Sequence, residues 1–149
     1  MSMLEKYRVR EVMTRGVVTV NFTSSIGEAI SAMVENDVTA VVVVNSDGET
    51  MGVISSVDIM RNLAGKSVEE VVGMTAEDVM TPHTISISPE SGLEEAARVM
   101  LEKNIHRLVI TQEKPFGSLP VPVGILSATD LVKLYDLELS RHERHQAPE

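Results

Sequence analysis

The chain has no cysteine and no tryptophan, and aromatic residues make up 3% of its 149 positions. Without cysteine there is neither a disulfide nor a thiolate metal site. With so few aromatics, the core has to be built from Val, Ile, Leu, Ala and the nine methionines, which serve as adaptable filler. Basic charge is scarce too: 13 Lys and Arg stand against 22 Asp and Glu, for a net charge of −9. That balance argues against binding nucleic acid or an anionic membrane, where a basic footprint supplies most of the attraction. It leaves room for an anionic small ligand, which answers to local charge. No apolar run approaches the roughly 20 residues of a membrane span. The charged start, Met1 to Arg10, lacks the apolar centre of a signal peptide. A soluble, cytoplasmic protein is the expectation.

What is present is a repeat. The phrase Gly-x-x-Ser-x-x-Asp occurs at Gly52, Ser55 and Asp58, and again at Gly124, Ser127 and Asp130. Upstream, Met13 aligns with Met80, and the halves match without a gap from Val12 and Val79 to Val43 and Ile110. Glu28 meets Glu95 and Met33 meets Met100. The copies span residues 9–65 and 76–137, with a linker at 66–75 and a polar tail at 140–149 that is expected to fray. A copy of about 60 residues is marginal alone. The two are therefore expected to share a core in one pseudo-symmetric unit.

Each copy predicts the order strand, helix, strand, strand, helix, an α/β (α+β) pattern. Val18 to Val20 and Ile85 to Ile87 alternate as short strands do. Ile26, Ala29, Ile30, Met33 and Val34 form a helical stripe, matched by Leu93, Ala96, Ala97, Met100 and Leu101. Ser25 and Glu28 have the spacing of a capping box. The β-branched runs at Ala40–Val44 and Leu108–Ile110 suit strands covered on both faces. Asn45 to Gly48 signals a hairpin turn into a strand at Met51–Ser55. The second copy has a longer loop there, Glu113 to Pro122. Helices are expected at Ser56–Ala64 and Ala128–Leu139, and a short helical segment in the linker at Val68–Val72.

Two groups of residues could carry chemistry. Ser55 with Asp58, and Ser127 with Asp130, stand where a strand hands over to a helix. Ser followed by an acid three residues on is an ordinary capping box. The shorter Asp at the mouth of a Gly-apolar-apolar strand end can instead accept hydrogen bonds from two adjacent hydroxyls, as a ribose offers. His106 and Arg107 sit where the helix hands over to the apolar strand Leu108–Ile110 of the second copy, where the first copy has Thr39 and Ala40. They read either as an exposed basic pair or as a fork for phosphate oxygens. His142 and His145 flank Glu143 in the tail, and His83 lies in the linker turn. Neither place gathers enough ligands for a metal, and no required cofactor is expected.

The Val-Met-Thr openings, the doubled Gly-x-x-Ser-x-x-Asp endings and the Ile-His-Arg-Leu-Val phrase together resemble a tandem pair of cystathionine-β-synthase-type (CBS) domains, a Bateman module. The resemblance covers about Val9 to Leu137. It implies two β-α-β-β-α copies packed about a pseudo-twofold axis, with two clefts for adenosine-containing ligands, and assembly into a homodimer. By resemblance, one cleft would use Ser55 and Asp58 for ribose, with Val53 beside them. His106 and Arg107 would hold phosphate there, and Thr84, Ile85 and Ile105 would line the base. The other would use Ser127 and Asp130, with Val17, Val18 and Val38 around the base. Thr39 and Ala40 stand where its phosphate ligands should be, so this cleft is expected to be empty or to take an uncharged or cationic ligand such as S-adenosylmethionine. The expected function is a regulatory module, not an enzyme. It would sense AMP, ADP, ATP or a similar ligand, hence the energy state, and signal to an unidentified partner protein. The alternative is a structural dimerisation module without ligand.

Overall fold

A computed structural model of the chain describes residues 1–82, 85, 87–114 and 119–146. In the first copy, β2 (Thr19–Asn21), α2 (Ile26–Glu35) and β3 (Ala40–Val44) form a parallel crossover, with Thr19 opposite Val42. The turn at Asn45–Gly48 then leads into β4 (Thr50–Ser55), which runs antiparallel to β3 with Ala40 opposite Ser55. Gly48 takes the left-handed φ of 78° that this tight turn requires. Helix α3 (Ser56–Leu63) closes the copy. The second copy repeats the order as α6 (Leu93–Lys103), β6 (Arg107–Gln112), β7 (Val121–Ser127) and α7 (Ala128–Gln146). The short helix α4 (Val68–Val72) sits in the linker behind a Ser67–Glu70 capping box. The mixed α+β architecture expected from the repeat is the one observed.

The matched helices α2 and α6 bury a narrower stripe than the sequence suggests. Ile26, Ala29 and Met33 are buried, as are Leu93, Ala96 and Met100, whereas Val34 is 75% exposed and Leu101 82%. At about 100° per residue, the three buried positions fall within some 60° of one another, while Val34 lies about 80° from Ile26. The outer apolar position therefore turns away from the sheet. Ser25 caps α2 by accepting from the Glu28 amide at 3.2 Å. Asp37 and Asn104, at matching positions after these helices, both take left-handed φ values, 51° and 52°.

The segments leading into each copy are exchanged. Helix α1 (Val9–Val12) and strand β1 (Thr14–Arg15) open the first copy, yet β1 pairs with β7 of the second, Thr14 opposite Ile125. Helix α5 (Ala76–Val79) and strand β5 (Thr81–Pro82) open the second copy, yet β5 pairs with β4 of the first, Thr81 opposite Val53. The sheets thus run β2-β3-β4-β5 and β1-β7-β6. Backbone bonds seal the exchange: the Ile26 amide donates to Met74, and the Leu93 amide to Tyr7. The single shared core that small copies were expected to need is replaced by two. One joins Ile26, Met33, Val41 and Ile54 to Ala76 and Val79; the other joins Leu93, Ile110 and Leu126 to Leu4, Val9 and Met13. Each copy borrows the apolar lead-in of its twin, which offsets its small size.

Gly52 and Gly124 are the crossing points. A Cβ on Gly52 would stand 2.6 Å from the Thr81 carbonyl oxygen, and one on Gly124 would stand 2.9 Å from that of Thr14. The glycine of the repeated phrase is therefore required by the lead-in lying over it.

Two further expectations change. Of the strand expected at Ile85 to Ile87, Ser86 lies outside the described residues, and Ile87 makes a single parallel bridge to Ile110. Residues 147–149 lie outside the described residues; where fraying was expected, residues 140–146 of the polar tail continue α7 to Gln146. No Gly or Pro interrupts it there, and Arg144 and His145 near its end complement the helix dipole.

Candidate ligand clefts

Ser127 ends β7, immediately before α7. Its amide donates to Asp130 Oδ2 at 2.9 Å, and its Oγ accepts from the Asp130 amide at 3.1 Å. Ser55 and Asp58 form the same box at β4 and α3, with 2.8 and 3.2 Å for the two bonds. The capping geometry is thus present in both copies. It fixes each carboxylate at the mouth where the lead-in of the other copy arrives.

A cavity of about 460 Å³ opens at the Ser127 end. That volume lies in the range of small-molecule sites, about 300–1,000 Å³. The structure brings all six residues expected there to one wall system: Val17, Val18, Val38, Thr39, Ser127 and Asp130. Arg107 lines this cavity too, and its Nη2 donates to Thr39 Oγ1 at 3.1 Å. The resemblance had grouped Arg107 with Ser55 and Asp58. The β6–β7 register explains the difference, because it sets Arg107 directly opposite Ser127. The charge that Thr39 and Ala40 lack is therefore brought to this cleft by Arg107.

The other expected residues are placed as follows. Val53 is half-buried in β4, opposite Thr81. Ile85 and Ile105 pack partly buried against the second core. The exposed His106 uses its carbonyl to accept from the Ala128 amide at 2.9 Å. Thr84 and His83 lie outside the described residues. Thr14 and Lys133, not expected from the sequence, also line the Ser127 cavity. Signals for both exist in hindsight: Thr14 is the repeat partner of Thr81, and Lys133 follows Asp130 by one helical turn. Among the described residues, no group of three or more His, Asp or Glu is gathered as a metal site, and no helix is long and apolar enough to cross a membrane.

The CBS domain family model matches this chain twice, at residues 9–65 and 76–136. The chain belongs to the CBS domain family. An uncharacterized protein of Methanocaldococcus jannaschii is 32% identical to this CBS pair over 126 residues, covering 85% of the chain and 42% of that protein. The CBS domain of a CBS domain-containing membrane protein from Sphaerobacter thermophilus superposes with a TM-score of 0.74 at 25% identity, over 88% of this chain and 89% of that one. The structure of CBSX2 in complex with AMP gives a TM-score of 0.70 at 25% identity, over 87% of this chain and 96% of that one. The CBS pair spans 31%, 42% and 61% of the lengths of three curated archaeal relatives it matches.

Proposed function

We propose that this CBS pair is a regulatory module that binds an adenosine-containing ligand bearing phosphate in the Ser127 cleft. The observation that carries the proposal is the composition of that cavity. It combines the Asp130 carboxylate at a helix start, an apolar wall and two cations, Arg107 and Lys133, with a second carboxylate from Asp37. Asp130 and Ser127 suit the adjacent hydroxyls of a ribose. Val17, Val18 and Val38 suit the flat face of a base, and Arg107 suits a phosphate. AMP in the related CBSX2 structure supports the same class of ligand. S-adenosylmethionine fits less well, because it brings no phosphate to meet Arg107 and Lys133. AMP is therefore favoured.

The cleft is built from both copies: Val17 and Thr39 belong to the first, and Arg107 and Ser127 to the second. A ligand bridging them prefers the state in which the copies are held together. It can bias the module's shape by as much as it prefers that state. The output would pass to a partner protein through the surface.

The module is further proposed to act as a homodimer. Val34 and Met60 in the first copy, and their repeat partners Leu101 and Val132 in the second, are 62% to 82% exposed. Matched apolar positions on the outer helices suit self-association about a twofold axis. No catalytic role is proposed for the cleft.

A thermal melt of the purified chain against AMP, ADP, ATP, adenosine and S-adenosylmethionine tests the ligand class. Stabilisation by the phosphorylated ligands above adenosine is the expected result. A chain indifferent to all five would instead be a structural dimerisation module.

A further inference from the structure

The two Ser-x-x-Asp boxes look alike in sequence but are committed differently. In the first copy, Asp58 is 6% exposed and both its oxygens are engaged. Oδ2 accepts from the Ser55 amide at 2.8 Å and from Ser55 Oγ at 3.0 Å. Oδ1 accepts from Thr81 Oγ1 at 3.0 Å and faces Arg61 Nη1 at 3.5 Å. Thr81 belongs to the lead-in of the other copy, so this carboxylate ties the two copies together. In the second copy the equivalent groups stay open. Asp130 is half-exposed, and among the described residues only its Oδ2 accepts a bond, from the Ser127 amide. Thr14, the repeat partner of Thr81, faces the cavity instead of bonding to Asp130. Lys133, the repeat partner of Arg61, also lines the cavity and makes no ion pair among the described residues.

We propose that the two clefts are inequivalent, each chain taking a single adenosine phosphate at Asp130, with Lys133 as a second phosphate-reading cation, while Asp58 serves as a latch between the copies. The proposal rests on the ligand reading above and deepens it. A ribose at Asp58 would have to displace Thr81, and a charge-assisted bond inside a nearly closed site is costly to exchange. At Asp130 the ribose meets a free oxygen. Arg107 and Lys133 line the same cavity from β6 and α7, and two cations suit the double charge of a terminal phosphate. Lys133 is thereby a specificity residue, distinguishing a nucleotide from its nucleoside.

The test is isothermal titration of the full chain with AMP and with adenosine, for the wild type, Lys133→Met and Thr81→Val. The wild type is expected to take up one AMP per chain. Lys133→Met should weaken AMP by about tenfold, the size of one charge-assisted bond, and leave adenosine unchanged. Thr81→Val should keep the AMP stoichiometry and affinity while lowering the unfolding midpoint. Two AMP per chain would overturn the inequivalence, and equal losses for AMP and adenosine in Lys133→Met would overturn the phosphate-reading role of Lys133; either leaves the ligand reading standing. No AMP uptake by the wild type would overturn the ligand reading, and the site assignment with it.

Discussion

Gly52→Ala is the substitution that most directly probes the exchanged lead-ins. The new methyl would sit 2.6 Å from the Thr81 carbonyl oxygen and 2.8 Å from Met80 Sδ. The methionine tip can swing away. The carbonyl belongs to a backbone held in β5 by its pairing to β4, so it has to retreat to at least 3.4 Å, where ordinary contact begins. Overpacking of this kind costs about 1–3 kcal/mol. Weakening the Thr81 bond to Asp58 adds to it, because hydrogen bonds to charged groups contribute about 1.5–3 kcal/mol. A total near 3 kcal/mol corresponds to a fall in the melting midpoint of about 6–12 °C for a chain of this size. Gly124→Ala meets the Thr14 carbonyl oxygen at 2.9 Å and should behave alike. The control is Gly27→Ala in α2, where the nearest atom is Ser25 Oγ at 3.7 Å. That site gains helix propensity without a clash, so its midpoint should rise slightly. The assay is far-ultraviolet circular dichroism during a thermal ramp. Removing the sulfur in Gly52→Ala/Met80→Ala should not rescue the loss, since the carbonyl remains. A Gly52→Ala midpoint within a degree or so of wild type, measured on the scale above, would refute the crossing.

Three further outcomes are expected. Tyr7 donates its hydroxyl to Glu138, and this bond, ahead of Lys6 and Arg141, holds the Glu138 carboxyl below its usual value; the same bond raises the Tyr7 phenol. A depressed acid stabilises above its unfolded pKa, about 4.3, and a raised phenol stabilises below its own, about 10. The midpoint advantage of wild type over Tyr7→Phe should therefore be largest between those limits and shrink towards both ends, and a difference independent of pH would contradict the assignment. Val34→Glu together with Leu101→Glu should convert a dimer to a monomer in analytical ultracentrifugation, and a wild type that sediments as a monomer would remove the proposed twofold contact. Arg107→Met should weaken AMP by about tenfold while sparing adenosine, as expected for loss of one charge-assisted bond; an unchanged AMP affinity would remove Arg107 from the cleft's function.

Much of the fold is legible because it is local. Helices α2 and α6 announce themselves through apolar spacing, and β3, β4 and β6 through β-branched runs. The repeat itself predicts the second copy from the first. The lead-in exchange is not legible in the same way. Strands β1 and β5 have two residues each, and α1 and α5 four, too few for any period to register. Their partners lie in the other copy, a relation that no window along the chain contains. The cleft divides along the same line. The Ser-x-x-Asp phrases are visible as motifs, but whether an aspartate is free or latched depends on Thr81 arriving from elsewhere. That Arg107 lines the Ser127 cavity is not legible either, because its neighbour across the sheet, Ser127, is set by strand register. Lys133 was overlooked because a surface lysine on an acidic helix has no distinguishing pattern until the cavity beside it is seen.

The most direct test of a ligand held by ribose and phosphate in the Ser127 cleft is the melting midpoint of wild type and Asp130→Ala with AMP and with 2′-deoxy-AMP. At 100 times its dissociation constant, a ligand adds about 2.7 kcal/mol, which raises the midpoint by roughly 5–10 °C. The expected result is a rise of that size for wild type with AMP, a smaller one with the deoxy nucleotide, and none for Asp130→Ala. Equal rises in wild type and Asp130→Ala, or equal rises with the two nucleotides, would contradict ribose recognition by Asp130.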